Sequence, residues 1–520
     1  MKSEVGQSKK FWRFDRGAIN DFLVIIWDGH SRPLLSGPSG IRLLSYSPRK
    51  RIFMRCRALL TSLLIVFAAV VSTGVREASA ADAKPNLIYI LLDDAGYGDL
   101  SCYGQKHFRT PNIDRLSTEG LRFTDHYSGS TVCAPTRCSL MTGLHTGHCV
   151  VRGNREVKPE GQAPMPADTV TLPRLLAKAG YATGMFGKWG LGAPGSTSDP
   201  MEHFTRFYGY NCQREAHTYY PGHLWSDRTK VELDGQTYSH DLIAKAALDF
   251  IRDSHQRQQP FFCYLPVTIP HAAMHVPEDD AAPFRKQFAQ FEDKIGKYRG
   301  PQVKNPAAAF AGMMTRLDRN VGQLLNLLAE LKIDENTLVM LSSDNGPHRE
   351  GGHMPDFFDS NGPLRGHKRD LYEGGIRAPL IARWPGKIAA GRTTDLMSAH
   401  WDTLPTFCEL AGAQTPAKTD GISMVPTLLG KGDQRQHETL YWEFTERGSS
   451  QAVRMGRWKG VRTNLKKNPD APLELYDLEA DLGETKNIAD AQPDVVKMLN
   501  DALKAEHAES ETFPLFGKGK

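Results

Sequence analysis

From Pro85 the chain reads Pro-Asn-Leu-Ile-Tyr-Ile-Leu-Leu-Asp93-Asp94, an apolar run without polar alternation that stops at two carboxylates. A strand with one wet face alternates apolar and polar residues. This run does not, and it predicts a parallel strand buried on both faces. Three further runs share the form. Tyr181-Ala-Thr-Gly-Met-Phe leads into Gly187-Lys188-Trp189-Gly190, Phe261-Phe-Cys-Tyr-Leu-Pro-Val-Thr leads towards His271, and Asn336-Thr-Leu-Val-Met-Leu-Ser-Ser leads into Asp344-Asn345-Gly346. In open α/β sheets ligands gather at the carboxyl ends of strands, so the four runs would deliver their polar residues to one edge of one sheet.

Helical patterns lie between these runs, at 110–119, 170–180, 241–254, 306–331 and 402–410. Thr110 and Asp241 have the chemistry of N-caps, and Pro111 suits a first helical position. The alternation predicts an α/β fold, a large mostly parallel sheet flanked by helices. The segments Pro164–Pro173 and Gly192–Trp225 read as excursions over the site. After Gly430 the texture changes to short alternating runs at 439–444, 451–455, 458–463 and 473–478, then a helical pattern from Pro493 to about His507. That predicts a small C-terminal antiparallel sheet plus helix. The expected organisation is a larger unit over 84–430 and an α+β subdomain over 431–520.

The segment Thr131-Val-Cys133-Ala-Pro135-Thr-Arg137-Cys-Ser139-Leu-Met-Thr142-Gly143 concentrates a thiol, a proline, an arginine and hydroxyls. Pro135 suits the first turn of a helix, which puts Cys133 at or just before a positive N-terminus where an oxyanion is welcome. The whole string, C-x-P-x-R followed by Met-Thr-Gly, resembles the signature of the type I, formylglycine-dependent sulfatases of the alkaline phosphatase superfamily. The resemblance implies that Cys133 is oxidised to formylglycine by a formylglycine-generating enzyme and that Arg137 is its electrostatic partner. It also implies that Asp93, Asp94, Asp344 and Asn345, with the residue at 133, hold a calcium ion. Their side chains are hard oxygen donors, which suit calcium or magnesium better than zinc.

Other positions follow the resemblance. Leu364-Arg-Gly366-His-Lys368-Arg-Asp-Leu-Tyr-Glu373-Gly-Gly-Ile-Arg377-Ala-Pro379 is similar to the family's G-x-K…E-G-G-x-R-x-P segment. Lys368 is then a contact for the sulfate or leaving group, while Glu373 and Arg377 brace the loop. Lys188 supplies a second cation, and His271, in Pro-His, assists the leaving group. One position departs from the pattern: where the family has Gly-Lys-Trp-His-Leu-Gly, this chain has Gly187-Lys188-Trp189-Gly190-Leu191-Gly192. Candidates to replace the absent histidine are His217, His145 and His148, with His217 preferred because it lies on the aromatic and polar excursion.

Composition narrows the rest. Hydrophobic residues make up 40% and charged residues 24%, ordinary values for a globular enzyme. The net charge of +5 is misleading, because 13 of the 64 Lys/Arg and 5 of the 59 Asp/Glu lie in residues 1–80, leaving 51 and 54 in the remainder. No general affinity for nucleic acid follows. Arg49, Lys50, Arg51, Arg55 and Arg57 precede an apolar run from Ala58 to Val71 and then Ala78-Ser79-Ala80, the layout of a secretory signal peptide. Met54 would start such a signal at normal length, so residues 54–80 are read as the signal and 1–53 as lying outside the natural product. The expected location is periplasmic or secreted, with membrane attachment only through an uncleaved signal. Cys102, Cys138, Cys149, Cys212, Cys263 and Cys408 form no recognisable disulfide framework.

The resulting expectation is hydrolysis of a sulfate monoester on a carbohydrate or aryl group. The alternatives are a formylglycine-dependent phosphodiester or phosphonate monoester hydrolase and a noncatalytic binder of sulfated glycans.

Overall fold

A computed structural model describes residues 84–517, so the segments read as a signal (54–80) and as extraneous (1–53) lie outside the described residues. Ten strands form the main sheet: β1 (Asn86–Asp93), β2 (Leu121–Phe123), β3 (Ala182–Lys188), β4 (Arg206–Tyr210), β5 (His223–Ser226), β6 (Thr229–Glu232), β7 (Phe261–Pro270), β8 (Thr337–Ser343), β9 (Leu380–Arg383) and β10 (Arg392–Thr394). Their order is β10-β2-β9-β8-β1-β7-β3-β4-β5-β6. The central strands β8, β1, β7, β3 and β4 run parallel, whereas β9, β5 and β6 pair antiparallel towards the edges.

All eight residues of β1 are buried, and alternate side chains enter different cores. Ile88, Ile90 and Leu92 pack with α1 (Pro111–Thr118), α4 (Ser239–Gln256) and α5 (Pro306–Glu330). Leu87, Tyr89 and Leu91 pack with α2 (Cys133–Thr142), α3 (Leu172–Lys178) and α6 (Thr403–Ala411). This two-sided burial is the physical reason the run carries no polar alternation. Among the described residues no helix is long and apolar enough to cross a membrane.

The C-terminal sheet is an antiparallel meander of β11 (Leu440–Phe444), β12 (Ser450–Met455), β13 (Trp458–Thr463) and β14 (Glu474–Asp477). Helix α7 (Pro493–Ala505) covers it through Leu499 and Leu503, which pack on Tyr441, Val453 and Leu475.

Some local expectations are corrected. Thr110 does not cap α1 through its side chain, because its hydroxyl pairs with the Ser101 hydroxyl at 2.7 Å. Asp241 lies inside the first turn of α4, since the helix already starts at Ser239. The segment 192–225 is only partly an excursion: β4 and the start of the β5–β6 hairpin extend the sheet, and 213–218 turns back over its carboxyl edge.

Candidate active site

The four sequence runs are β1, β3, β7 and β8, and all four end at the same edge. Asp93 closes β1, Lys188 closes β3, His271 follows β7 and Asp344 follows β8. Cys133 is the first residue of α2, a helix whose ten residues are all buried. Val132 before it is extended, Pro135 stands in the first turn, and the Ala134 N–H donates to Asn154 Oδ1 at 3.3 Å. The thiol therefore sits where the helix dipole is most positive.

Carboxylates and cations interleave around that thiol. Cys133 Sγ lies 3.4 Å from Asp93 Oδ1 and 3.4 Å from Lys188 Nζ. Lys188 Nζ donates to Asp93 Oδ2 at 2.6 Å, and Arg137 Nη2 donates to Asp344 Oδ2 at 3.0 Å with Asp93 Oδ2 at 3.5 Å. Lys368 Nζ donates to Asp94 Oδ2 at 2.7 Å, and His271 Nε2 lies 3.4 Å from the same oxygen. Asp94 adopts a left-handed backbone at φ 69°, a conformation aspartate tolerates. That turn aims its N–H at Asp344 Oδ1, 3.0 Å away, while Asn345 Nδ2 donates to Asp94 Oδ1 at 2.7 Å. Asp93, Asp94, Asp344, Asn345, Arg137 and Lys188 are fully buried.

The electrostatics follow from that burial. Desolvation pushes Asp93 and Asp94 up, but Lys188 beside the first and Lys368 beside the second outweigh it and hold both carboxylates well below their usual range. Asp344 goes the other way: burial and the Asp93 charge push it up to about 7. The Cys133 thiol is also pushed far up by burial and by Asp93. A working cysteine nucleophile needs a depressed pKa, so this thiol is not poised to attack as a thiolate. His271 is held neutral by burial and by Lys368. Its Nδ1 contacts the Ala272 carbonyl, which leaves the Nε2 lone pair facing the site.

The donor set fits a hard divalent cation. Asn345 Oδ1 is buried and has no hydrogen-bond partner among the described residues, although its amide nitrogen is fully engaged. An orphan acceptor beside three buried carboxylates has the chemistry of a cation ligand. Asp93, Asp94, Cys133 and His271 also bring one potential ligand atom each within 4.8 Å of one another.

His217 stacks on His271, with ring centroids 4.7 Å apart and planes 7° apart, so the structure brings it to the rim of the site. His145 and His148 are not brought there. They follow α2 at its far end, about 15 Å from Cys133 by helix rise, where His145 Nε2 meets Glu506 at 3.1 Å and His148 Nδ1 meets Asp420 at 2.9 Å. Gly190 has φ +75°, and a Cβ there would approach Gln213 Nε2 to 3.0 Å. The buried Gln213 amide thus fills the room a larger residue at 190 would need.

Sequence reasoning missed the loop after Asn345. His348 stacks near His271, its Nε2 reaching the Pro270 carbonyl at 3.3 Å and its Nδ1 accepting from the Glu350 N–H at 3.0 Å. Both nitrogens are thereby occupied. Glu350 Oε1 accepts from Arg369 Nη2 at 2.6 Å, and its Oε2 lies 3.7 Å from Lys368 Nζ. The available signal was proximity to Asp344-Asn345-Gly346 in one loop. Glu373 and Arg377 brace the structure as expected, at 2.7 Å from each other.

Comparison with known proteins agrees with this geometry. The Sulfatase family model matches residues 85–413, and the model described as N-sulphoglucosamine sulphohydrolase, C-terminal, matches 366–509. Human (Homo sapiens) arylsulfatase A is 33% identical over 508 residues, covering 84% of this chain and 90% of the relative. The N-acetylgalactosamine-6-O-sulfatase of Bacteroides thetaiotaomicron is 30% identical over 487 residues, covering 81% and 93%. Among solved structures, Ps i-CgsB in complex with k-i-k-neocarrahexaose superposes with a TM-score of 0.70 at 27% identity, covering 82% of this chain and 93% of that one. With nearly two thirds of its length matched by the family model and its strand ends converging on one buried charged nest, the chain belongs to the sulfatase family, enzymes that hydrolyse sulfuric esters.

Proposed function

We propose that this protein is an exported, calcium-dependent sulfatase that removes sulfate from a carbohydrate through formylglycine made at Cys133. The observation that carries the reading is the nest itself, three buried carboxylates interleaved with Arg137, Lys188 and Lys368 around Cys133 Sγ. The carboxylates and these cations balance, so a bound divalent cation would leave net positive charge for a sulfate anion. Formylglycine at 133, made by a formylglycine-generating enzyme, would supply a hydrated aldehyde as oxygen nucleophile, and calcium on Asp93, Asp94, Asp344, Asn345 and residue 133 would supply charge stabilisation at the sulfate oxygens.

The chain's own residues then have defined tasks. Asp344, held by Arg137 at 3.0 Å, takes or orients the proton of the attacking oxygen. Arg137 holds Asp344 and Asp93 in register. Lys188 and Lys368 stabilise charge on sulfate oxygens, and Lys368, held protonated beside Asp94, carries the proton for the departing alcohol. His271, neutral with its Nε2 lone pair towards the site, accepts from the alcohol hydroxyl once Lys368 has protonated it, and His217 stacks behind it. Sugar esters are the preferred substrate class because the relative from Bacteroides acts on N-acetylgalactosamine 6-sulfate by name. Residues 54–80 as a secretory signal, 84–430 as the catalytic part and 431–520 as a subdomain complete the proposal.

Mass spectrometry of the Cys133 peptide should show aldehyde in place of thiol, and the same preparation should turn over 4-nitrophenyl sulfate well above 4-nitrophenyl phosphate. Retained thiol in active enzyme, or a preference for the phosphate ester, would overturn the proposal.

A further inference from the structure

A tyrosine stands at the mouth of the nest with no task in the chemistry above. Tyr298 lies on the loop of a short hairpin formed by Ile295–Gly296 and Val303–Lys304. It is 41% exposed, and Ile295 on the same hairpin is 47% exposed. Among the described residues five large hydrophobic side chains are more than a third exposed, and two of them sit on this hairpin.

The ring is held. Its centroid lies 5.3 Å from that of His217 and 5.9 Å from that of His271, with planes inclined by 62° and 67°. Since His217 and His271 stack almost parallel, the phenol ring forms a wall across the end of that pair. The loop is anchored from behind: His275 Nε2 reaches the Pro301 carbonyl at 3.0 Å, and a Cβ on Gly351 would meet Tyr298 Cβ at 3.6 Å. A ring nitrogen of His271 is within 4.8 Å of the Cys133 sulfur, so the wall stands one ring away from the reacting position.

The surroundings of the wall are polar. Glu350 with Arg369, and Arg299 beside Glu215, border the same mouth. An aryl ester would be met by an apolar slot. A single aromatic face bordered by hydrogen-bonding groups matches a ring with one apolar face and a polar perimeter, which is a pyranose.

We infer that Tyr298 is the platform on which the sugar ring of the leaving group lies, making it a specificity-determining residue of this site. The inference rests on the sulfatase reading above and adds to it the residue that selects a saccharide. His271 faces the ester oxygen from one side of the corner, and Tyr298 carries the ring from the other.

Steady-state kinetics of the full enzyme test it, with Tyr298→Ala and Tyr298→Phe set beside the wild type. The substrates are the sulfated hexose or hexosamine that the wild type hydrolyses fastest, ethyl sulfate and 4-nitrophenyl sulfate. Tyr298→Ala should raise KM for the sugar sulfate about tenfold while kcat changes less than about twofold. Tyr298→Phe should keep the wild-type KM, and ethyl sulfate, which presents no ring, should show no selective loss with either variant. An unchanged sugar KM in Tyr298→Ala overturns the inference, as does an equal loss on ethyl sulfate, which would mark a structural role. A KM effect confined to 4-nitrophenyl sulfate would assign the platform to aryl groups and overturn the saccharide. Failure of the underlying sulfatase reading looks different, because the wild type would then hydrolyse none of the three esters.

Discussion

Asn345 shows most directly how one side chain reports what the nest is for. Its amide nitrogen is spent on Asp94 Oδ1 and the Gly346 carbonyl, so the orientation of the amide is fixed, and Oδ1 is left buried without a donor among the described residues. A buried acceptor without a partner costs about 1–3 kcal/mol, a cost a hard cation removes. Asp344 tells the same story through its proton, since burial and the Asp93 charge hold its carboxyl at about 7 until positive charge arrives. Chelation with EGTA should therefore lower the thermal unfolding midpoint by several degrees, with calcium restoring it, because a ligand at a hundred times its Kd adds about 2.7 kcal/mol to the folded state. In Asn345→Ala the midpoint without calcium should fall, because the two hydrogen bonds of the buried amide nitrogen are lost, and the calcium-dependent rise should shrink as well. An unfolding midpoint indifferent to EGTA in the wild type would remove the cation from this site.

Elements differ in how far they announce themselves. β1, β3, β7 and β8 were legible because burial on both faces erases alternation, and their last residues were legible as ligands because strand ends in such sheets open onto one edge. α2 was legible through Pro135 and the position of Cys133. The short strands β2, β9 and β10 at one end of the sheet were not, since runs of three or four residues carry too little periodicity. β4 was hidden inside the aromatic and polar segment read as an excursion. His348 and Glu350 were out of reach because their approach depends on the loop after β8 folding back, which tertiary contact decides. His400 is a case at an element junction. It precedes α6 and donates from Nε2 to the Ser342 hydroxyl at 3.0 Å, near the end of β8, while its Nδ1 finds no partner among the described residues. Burial lowers its pKa to about 3. A folded value below the unfolded 6.5 means the unfolded chain binds the proton first, so stability is lost as pH falls below about 6.5 and the loss levels off near pH 3. Between pH 7.5 and pH 5 this histidine should cost roughly 2 kcal/mol. His400→Gln keeps a donor for Ser342 and cannot titrate. Urea unfolding at the two pH values should show the variant gaining about that much on the wild type, and parallel losses in both proteins would refute the assignment.

At the scale of the whole molecule the question is what ties the C-terminal sheet to the part that carries the nest. Apolar contact is one answer: Trp442, Phe444 and Val461 share a cluster with Tyr127, Val132, Leu371 and Trp401, and Trp442 Nε1 donates to the Ser128 carbonyl at 2.9 Å, five residues before Cys133. A buried ionic joint is the other. Lys459 on β13 donates to Glu373 Oε1 at 2.8 Å and lies 2.9 Å from Glu484 Oε1, while Glu373 Oε2 accepts from Arg377 Nε at 2.7 Å and from the Tyr127 hydroxyl at 2.8 Å. Burial pushes Glu373 up, but Lys459 and Arg377 overcome it and hold its carboxylate well below the usual range, and Glu484 is pushed up to about 7 by burial despite Lys459. One ammonium thus serves two carboxylates inside the protein. Such a joint adds little compared with an apolar isostere, yet removing one partner leaves charge stranded, which costs roughly 3–5 kcal/mol. Lys459→Met should therefore destabilise the protein by about that amount, and adding Glu484→Gln should recover part of the loss, because Glu484 is the carboxylate left without a cation while Glu373 keeps Arg377. Because core and joint are shared, tryptophan fluorescence and loss of sulfatase activity should follow the same urea transition in wild type and variant alike. A C-terminal sheet that melted at lower urea while turnover persisted would mean that the subdomain folds and fails on its own, and that the Glu373 joint does not couple it to the site.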